Sequence, residues 1–84
     1  MSIEDNTLYT TMLQSLIKKY GLFLNSRECA ETLGISGRTL DQRRKSGSNC
    51  PHYVDQFGKK GIVYPAQAVV QFQLEKSKQA VQTA

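Results

Sequence analysis

The sequence has no apolar run near the roughly twenty residues needed to span a bilayer, and no charged start leading into an apolar signal stretch. Both absences predict a cytoplasmic protein with no membrane partner. Cysteine is scarce: Cys29 and Cys50 are the only two. They make no disulfide framework, and in a cytosolic protein both are expected as reduced thiols. His52 is the single histidine, so with the two cysteines it gives three candidate ligands without a C-x-x-C pair. That falls short of a structural zinc set, and no metal or other cofactor is expected. The chain also lacks paired carboxylates in a plausible site, a Gly-rich phosphate loop and a Cys/His pair in a pocket-forming pattern. An enzyme is therefore not expected. With 84 residues the chain reads as one domain, 1–84, whose core must be economical.

The formal charge is +4, and its placement carries more than its size. Arg38, Arg43, Arg44, Lys45, Lys59 and Lys60 lie between Ser36 and Gly61, opposed there only by Asp41 and Asp55. Outside that segment, Lys18, Lys19, Arg27, Lys76 and Lys78 balance Glu4, Asp5, Glu28, Glu31 and Glu75. A basic cluster on an otherwise neutral domain points to a polyanion, most often nucleic acid, whereas a merely solvated face would scatter its charges.

Periodicity organises the chain into a mainly α protein with a small β-hairpin, an α+β domain. Asp5 or Asn6 can cap a first helix over 5–21, in which Leu8, Met12, Leu13, Leu16, Ile17 and Tyr20 form one apolar stripe. Lys18 and Lys19 suit the negative end of its dipole, and Gly21 stops it. Leu22-Phe23-Leu24 reads as a short extended link. Over 25–47 two short helices follow. Asn25 caps the first with Glu28 three residues on, Ala30 and Leu33 face inward, and Gly34 ends it. Ser36 caps the second, with Ile35 placed to staple against Leu40. Two short helices broken at one glycine form a helix-turn-helix pattern, a weak signal until the content of the second helix is read.

With Leu40 toward the core and about a hundred degrees per residue, Arg38, Gln42 and Lys45 point nearly opposite. Thr39 and Asp41 take the shoulders, and Arg43 and Arg44 lie nearer the core side. Such a face can meet base edges, with arginine to guanine, glutamine to adenine and threonine to a thymine methyl. Arg38, Thr39 and Gln42 are the candidate base contacts. Ser36, Arg43, Arg44 and Lys45 are candidate phosphate contacts, although Arg43 suits either role. Over 51–64, Tyr53-Val54-Asp55-Gln56-Phe57 and Ile62-Val63-Tyr64 flank Gly58-Lys59-Lys60-Gly61, a hairpin whose tip lysines, Lys59 and Lys60, complete the phosphate set. Pro65 suits the first turn of a last helix over 65–79, with Ala66, Val69, Val70 and Leu74 inward and a polar tail that frays after Lys76. Phe72 stands off that stripe, and is expected to close over the first helix in preference to offering a partner surface.

Glu28-Cys29-Ala30, Leu33-Gly34-Ile35-Ser36, Arg38-Thr39-Leu40, Arg44, Gly47, Pro51, Tyr53-Val54, Gly58-Lys59 and Val63-Tyr64 occur in an order that resembles the MerR-like winged helix-turn-helix proteins, in the branch of excisionases and AlpA-type regulators. The likeness covers Leu24 to about Leu74. Arg43 departs from it by standing where relatives usually carry a large apolar residue, and Asn49-Cys50 departs by replacing the glycine often found before the proline. The first helix lies outside the shared region, and either extends the fold or makes a dimer contact. The resemblance implies a winged helix-turn-helix that binds double-stranded DNA in a phage, plasmid or integrated mobile element. An excisionase-like recombination directionality factor that positions and bends DNA is the leading expectation, with an integrase or a second copy on DNA as further partners. A small transcriptional regulator of a mobile element is the alternative, and a winged-helix protein-interaction module is the second.

Overall fold

The computed structural model describes the backbone of residues 3–56 and 61–83 and the side chains of residues 7–55 and 61–77. Four helices and three short strands follow in the order α1 (Ile3–Tyr20), β1 (Phe23–Asn25), α2 (Ser26–Leu33), α3 (Gly37–Ser46), β2 (Val54–Gln56), β3 (Gly61–Pro65) and α4 (Ala66–Thr83). The fold is mainly helical with a small antiparallel sheet, as the periodicity predicts.

The helix ends are set by local chemistry. The Asn25 side chain accepts from the Glu28 backbone N–H at 2.8 Å, and the Glu28 carboxylate accepts from the Asn25 backbone N–H at 3.0 Å. This reciprocal pair satisfies two early donors of α2. Gly34 leaves α2 in the left-handed region at φ 74°, and the Ile35 backbone N–H returns to Ala30 O at 3.0 Å. Ser36 then accepts from the Thr39 backbone N–H at 3.1 Å and starts α3, which Gly47 ends at φ 75°. The turn between α2 and α3 is therefore fixed at both sides by caps visible in the sequence.

The sheet is larger than the expected hairpin. Its order is β1-β3-β2, with Leu24 opposite Tyr64 and Val54 opposite Val63. The Leu22-Phe23-Leu24 stretch is thus not a free link: β1 pairs with β3, and the Ala66 backbone N–H donates to Leu22 O at 2.8 Å. Alternation explains its composition, since Leu24 is fully buried while Phe23 is half exposed. The tip residues Phe57, Gly58, Lys59 and Lys60 lie outside the described residues.

Other boundaries also shift. α1 begins at Ile3, ahead of the expected caps, and ends at Tyr20. Pro65 closes β3 opposite Phe23, so α4 begins one residue later and continues to Thr83, past the expected fraying point. Strand β2 starts at Val54, after Tyr53.

Every helix contributes to one core. Leu16, Leu24, Cys29, Ala30, Leu40, Tyr64, Ala66, Val69 and Val70 form a single buried cluster, with Met12, Leu13, Ile17 and Tyr20 of α1 packed against it. The first helix therefore extends the fold. Leu8, placed on the inward stripe by its spacing, is half exposed near the distal end of α1.

Candidate nucleic-acid interface

Leu40 anchors α3 with its side chain fully buried, and this fixes the direction of every neighbour on the helix. Arg38, Gln42 and Lys45 are exposed, as is Ser36 at the N-cap, while Thr39, Arg43 and Arg44 are half buried. Arg38, Gln42 and Lys45 make no hydrogen bond or ion pair with another described side chain. Thr39 is engaged locally, because the Ser36 hydroxyl donates to Thr39 Oγ1 at 2.9 Å. The α3 N-terminus therefore presents backbone N–H groups and the Ser36–Thr39 pair beside Arg38, an arrangement suited to an anion such as a phosphate.

The two flanks of α3 differ. Arg44 turns toward the sheet and donates from Nη2 to Asp41 Oδ1 at 3.2 Å, with only 19% of its side chain exposed. Its Nε is buried without a partner, and so is the hydroxyl of Tyr64 on β3. Partial burial works against the charge of Arg44, but the hydrogen bond to Asp41, helped by Tyr64, holds its pKa above the usual arginine value. A phosphate reaches this guanidinium only in competition with Asp41. Asp41 and Arg44 stand three apart on one helix, the spacing at which opposite charges meet, so the signal for this pair is present in the sequence.

Arg43 lies on the opposite flank, against α4 and the loop after α3. It lines a groove with Leu33, Asn49, Phe72, Gln73 and Lys76. Phe72 accordingly faces α2, α3 and that loop, and the expected closure over α1 is not what it does. With the stripe of Ala66, Val69 and Val70 buried in the shared core, Phe72 falls on the side of α4 that faces the 49–52 loop. Asn49 takes a positive φ of 54°, the only non-glycine among the described residues to do so. It supplies the left-handed turn before Pro51 that a glycine would otherwise provide.

Beneath the interface, burial pushes the Cys29 thiol up to about 12, with the neighbouring Cys50 adding to the effect. Burial raises Cys50 as well, opposed by Tyr64 and by the Arg44 and Arg43 charges. Both cysteines are free. Among the described residues no three His, Cys, Asp or Glu side chains gather as a metal-binding group, and no helix is long and apolar enough to cross a membrane.

The structure thus brings Ser36, Arg38, Thr39, Gln42 and Lys45 to one end and outer face of α3, sets Arg43 and Arg44 on opposite flanks, and leaves Lys59 and Lys60 outside the described residues. No protein-family model, curated protein or solved structure matches the chain.

Proposed function

We infer that the chain is a sequence-specific, non-catalytic DNA-binding protein of winged helix-turn-helix type. In this reading α2 and α3 are the two helices of the motif, α3 enters a major groove, and the β2–β3 hairpin is the wing beside it. The observation that carries it is the outer face of α3. Arg38, Gln42 and Lys45 are exposed and unengaged there, opposite a fully buried Leu40, with the only acid of the helix, Asp41, already occupied by Arg44. A helix selected merely for solubility would mix acids and bases in pairs along that face. Arg38 and Gln42 are long enough for bidentate contacts to bases, with Thr39 beside them at the helix start. Ser36, Lys45 and the wing lysines Lys59 and Lys60 hold phosphates, and the concentration of positive charge between Ser36 and Gly61 supports the assignment.

The resemblance to MerR-like excisionases and AlpA-type regulators supports a role on the DNA of a mobile element, as an excisionase-like directionality factor that positions and bends its site beside an integrase. Selection of bound fragments from random and genomic DNA, followed by affinity measurements at several salt concentrations, tests the reading. Arg38→Ala or Gln42→Ala is expected to cost roughly 1–3 kcal/mol on the preferred site and to relax preference at one base pair. Replacing Lys59 and Lys60 is expected to weaken all DNA alike and to flatten the slope of log K against log salt by about 0.9 per lost phosphate contact. Absence of salt-sensitive binding to any fragment overturns the reading. Bending of attachment-site fragments in the presence of an integrase separates the directionality factor from a transcriptional regulator.

A further inference from the structure

Three residues that a simple packed domain does not require meet on one side of the molecule. Phe72 stands off the buried stripe of α4, Arg43 is a cation on the core-side flank of α3, and Asn49 holds a backbone conformation that non-glycine residues rarely adopt. All three line the same groove, whose volume is about 450 Å³. Leu33 of α2 and Phe72 form its apolar walls, Arg43 and Lys76 supply charge, Asn49 and Gln73 supply amides, and no carboxylate is among the described residues that line it.

The polar rim is held in place. Lys76 donates from Nζ to Asn49 Oδ1 at 2.7 Å and lies 5.4 Å from the centre of the Phe72 ring. This ties α4 to the strained turn after α3. Gln73 Nε2 donates to Thr32 O at 3.4 Å and ties α4 to α2. Arg43, by contrast with Arg44 one residue on, has no acid paired with it among the described residues. Two cations thus border one groove with no negative charge among the described residues that line it. Packing alone gives no reason for this, since an apolar residue at position 43 would fill that flank without the cost of crowding like charges. A rim already fixed by hydrogen bonds loses little entropy when a ligand arrives.

We propose that this groove docks a short acidic–apolar segment of a partner protein, with carboxylates meeting Arg43 and Lys76 and a leucine- or phenylalanine-type side chain seated between Leu33 and Phe72. The groove is open to solvent, and its volume falls within that of ligand clefts, roughly 300–1,000 Å³. Charge complementarity selects the acids, and the Leu33 and Phe72 walls require an apolar group that a DNA backbone does not offer. The groove lies on the flank of α3 beside α4, away from the outer face of Arg38, Gln42 and Lys45, so DNA and the segment can be held together. This docking surface stands independently of the DNA-binding role.

The test uses the full chain and a fluorescein-labelled peptide of alternating Asp/Glu and Leu/Phe residues, against a counterpart with lysines in place of its acids. Saturable, salt-weakened binding of the acidic peptide alone is expected. Arg43→Gln, Lys76→Gln and Phe72→Ala are each expected to weaken it roughly tenfold, the scale of one lost charged or anchoring contact. Arg43→Lys, which keeps the charge, and Phe72→Leu, which keeps the wall, are expected to retain most of the binding and guard against a loss caused by misfolding. DNA affinity and its salt slope are expected to be unchanged in Lys76→Gln and Phe72→Ala. No saturable binding, or equal binding by parent and groove variants, overturns the proposal. So does a fall of about 0.9 in the DNA salt slope for each of Arg43→Gln and Lys76→Gln, which makes the groove a phosphate surface. Self-association in sedimentation that these variants abolish overturns it too, because the occupant is then a second copy of the chain.

Discussion

Cys29 and Tyr64 are fully buried on adjoining elements, and their ionisation is opposed by the same surroundings. Burial, then Cys50, raises the Cys29 thiol from its ordinary 9.0 to about 12. Burial, with Cys50 and Cys29 adding and Arg44 opposing, raises the Tyr64 phenol from 10.0 to about 12. A folded pKa above the unfolded value means that the stabilising contribution is fully present below the unfolded pKa and is lost as pH rises toward the folded one. The melting temperature is therefore expected to fall progressively from about pH 9 to about pH 12. Melting curves across that window check it: Cys29→Ala should soften the fall near pH 9, and Tyr64→Phe the part that begins a unit higher. An unchanged alkaline profile in both variants refutes this account. The same burial orders thiol reactivity, and the half-buried Cys50 is expected to react with a thiol reagent well before Cys29, which must wait for the core to open.

Among the elements, α3 has the clearest link between local sequence and position. Its start depends on the Ser36 hydroxyl, so Ser36→Ala is expected to cost about 1 kcal/mol. Its facing depends on Leu40, and Leu40→Ala is expected to cost about 2–5 kcal/mol, a large share of what a domain of this size has. Denaturant unfolding of both variants measures these values, and a Leu40→Ala midpoint equal to the parent's shows the anchor lies elsewhere. The features legible in the sequence were those decided within a few residues: the Asn25–Glu28 and Ser36 caps, the glycine stops at 34 and 47, and the exposure of Arg38, Gln42 and Lys45 opposite Leu40. β1 was not legible, because a three-residue strand is decided by Val63, Tyr64 and Pro65, far along the chain. α4 also runs past its expected end: a polar composition lowers burial without breaking a helix, and no glycine or proline interrupts the chain between Ala66 and Thr83. Within the candidate site, the direction of each α3 side chain was readable, but the partners on other elements were not. Arg44 meeting Tyr64, and Arg43 meeting Phe72 and Lys76, are products of packing.

At the scale of the whole molecule, α1 and α4 dominate the shape. Each has 18 residues, and an α-helix of that length is about 27 Å long. The molecule measures 40 × 28 × 19 Å, with a radius of gyration of 13.2 Å, above the roughly 12 Å typical of a compact chain of this length. Five of the nine residues of the buried cluster come from α2, α3 and the sheet, and the other four from α1 and α4, so the two long helices complete a core that the short elements begin. Leu16 of α1, 9% exposed, joins Val69 and Val70 of α4 in the common cluster, with Tyr9, Met12, Leu13, Ile17 and Tyr20 around it. The first helix thus helps to complete the core that Leu40 of α3 joins. Leu16→Ala is accordingly expected to destabilise the fold by about 2–5 kcal/mol. In the proposed DNA-binding role it should weaken affinity only through the fraction of chain unfolded, and leave the salt slope as in the parent, because no proposed phosphate contact is removed. Thermal unfolding, sedimentation and salt-dependent affinity on the same variant check the three parts together. If Leu16→Ala melts like the parent but changes the oligomeric state, α1 serves as a contact between copies, and the core of the monomer is built without it.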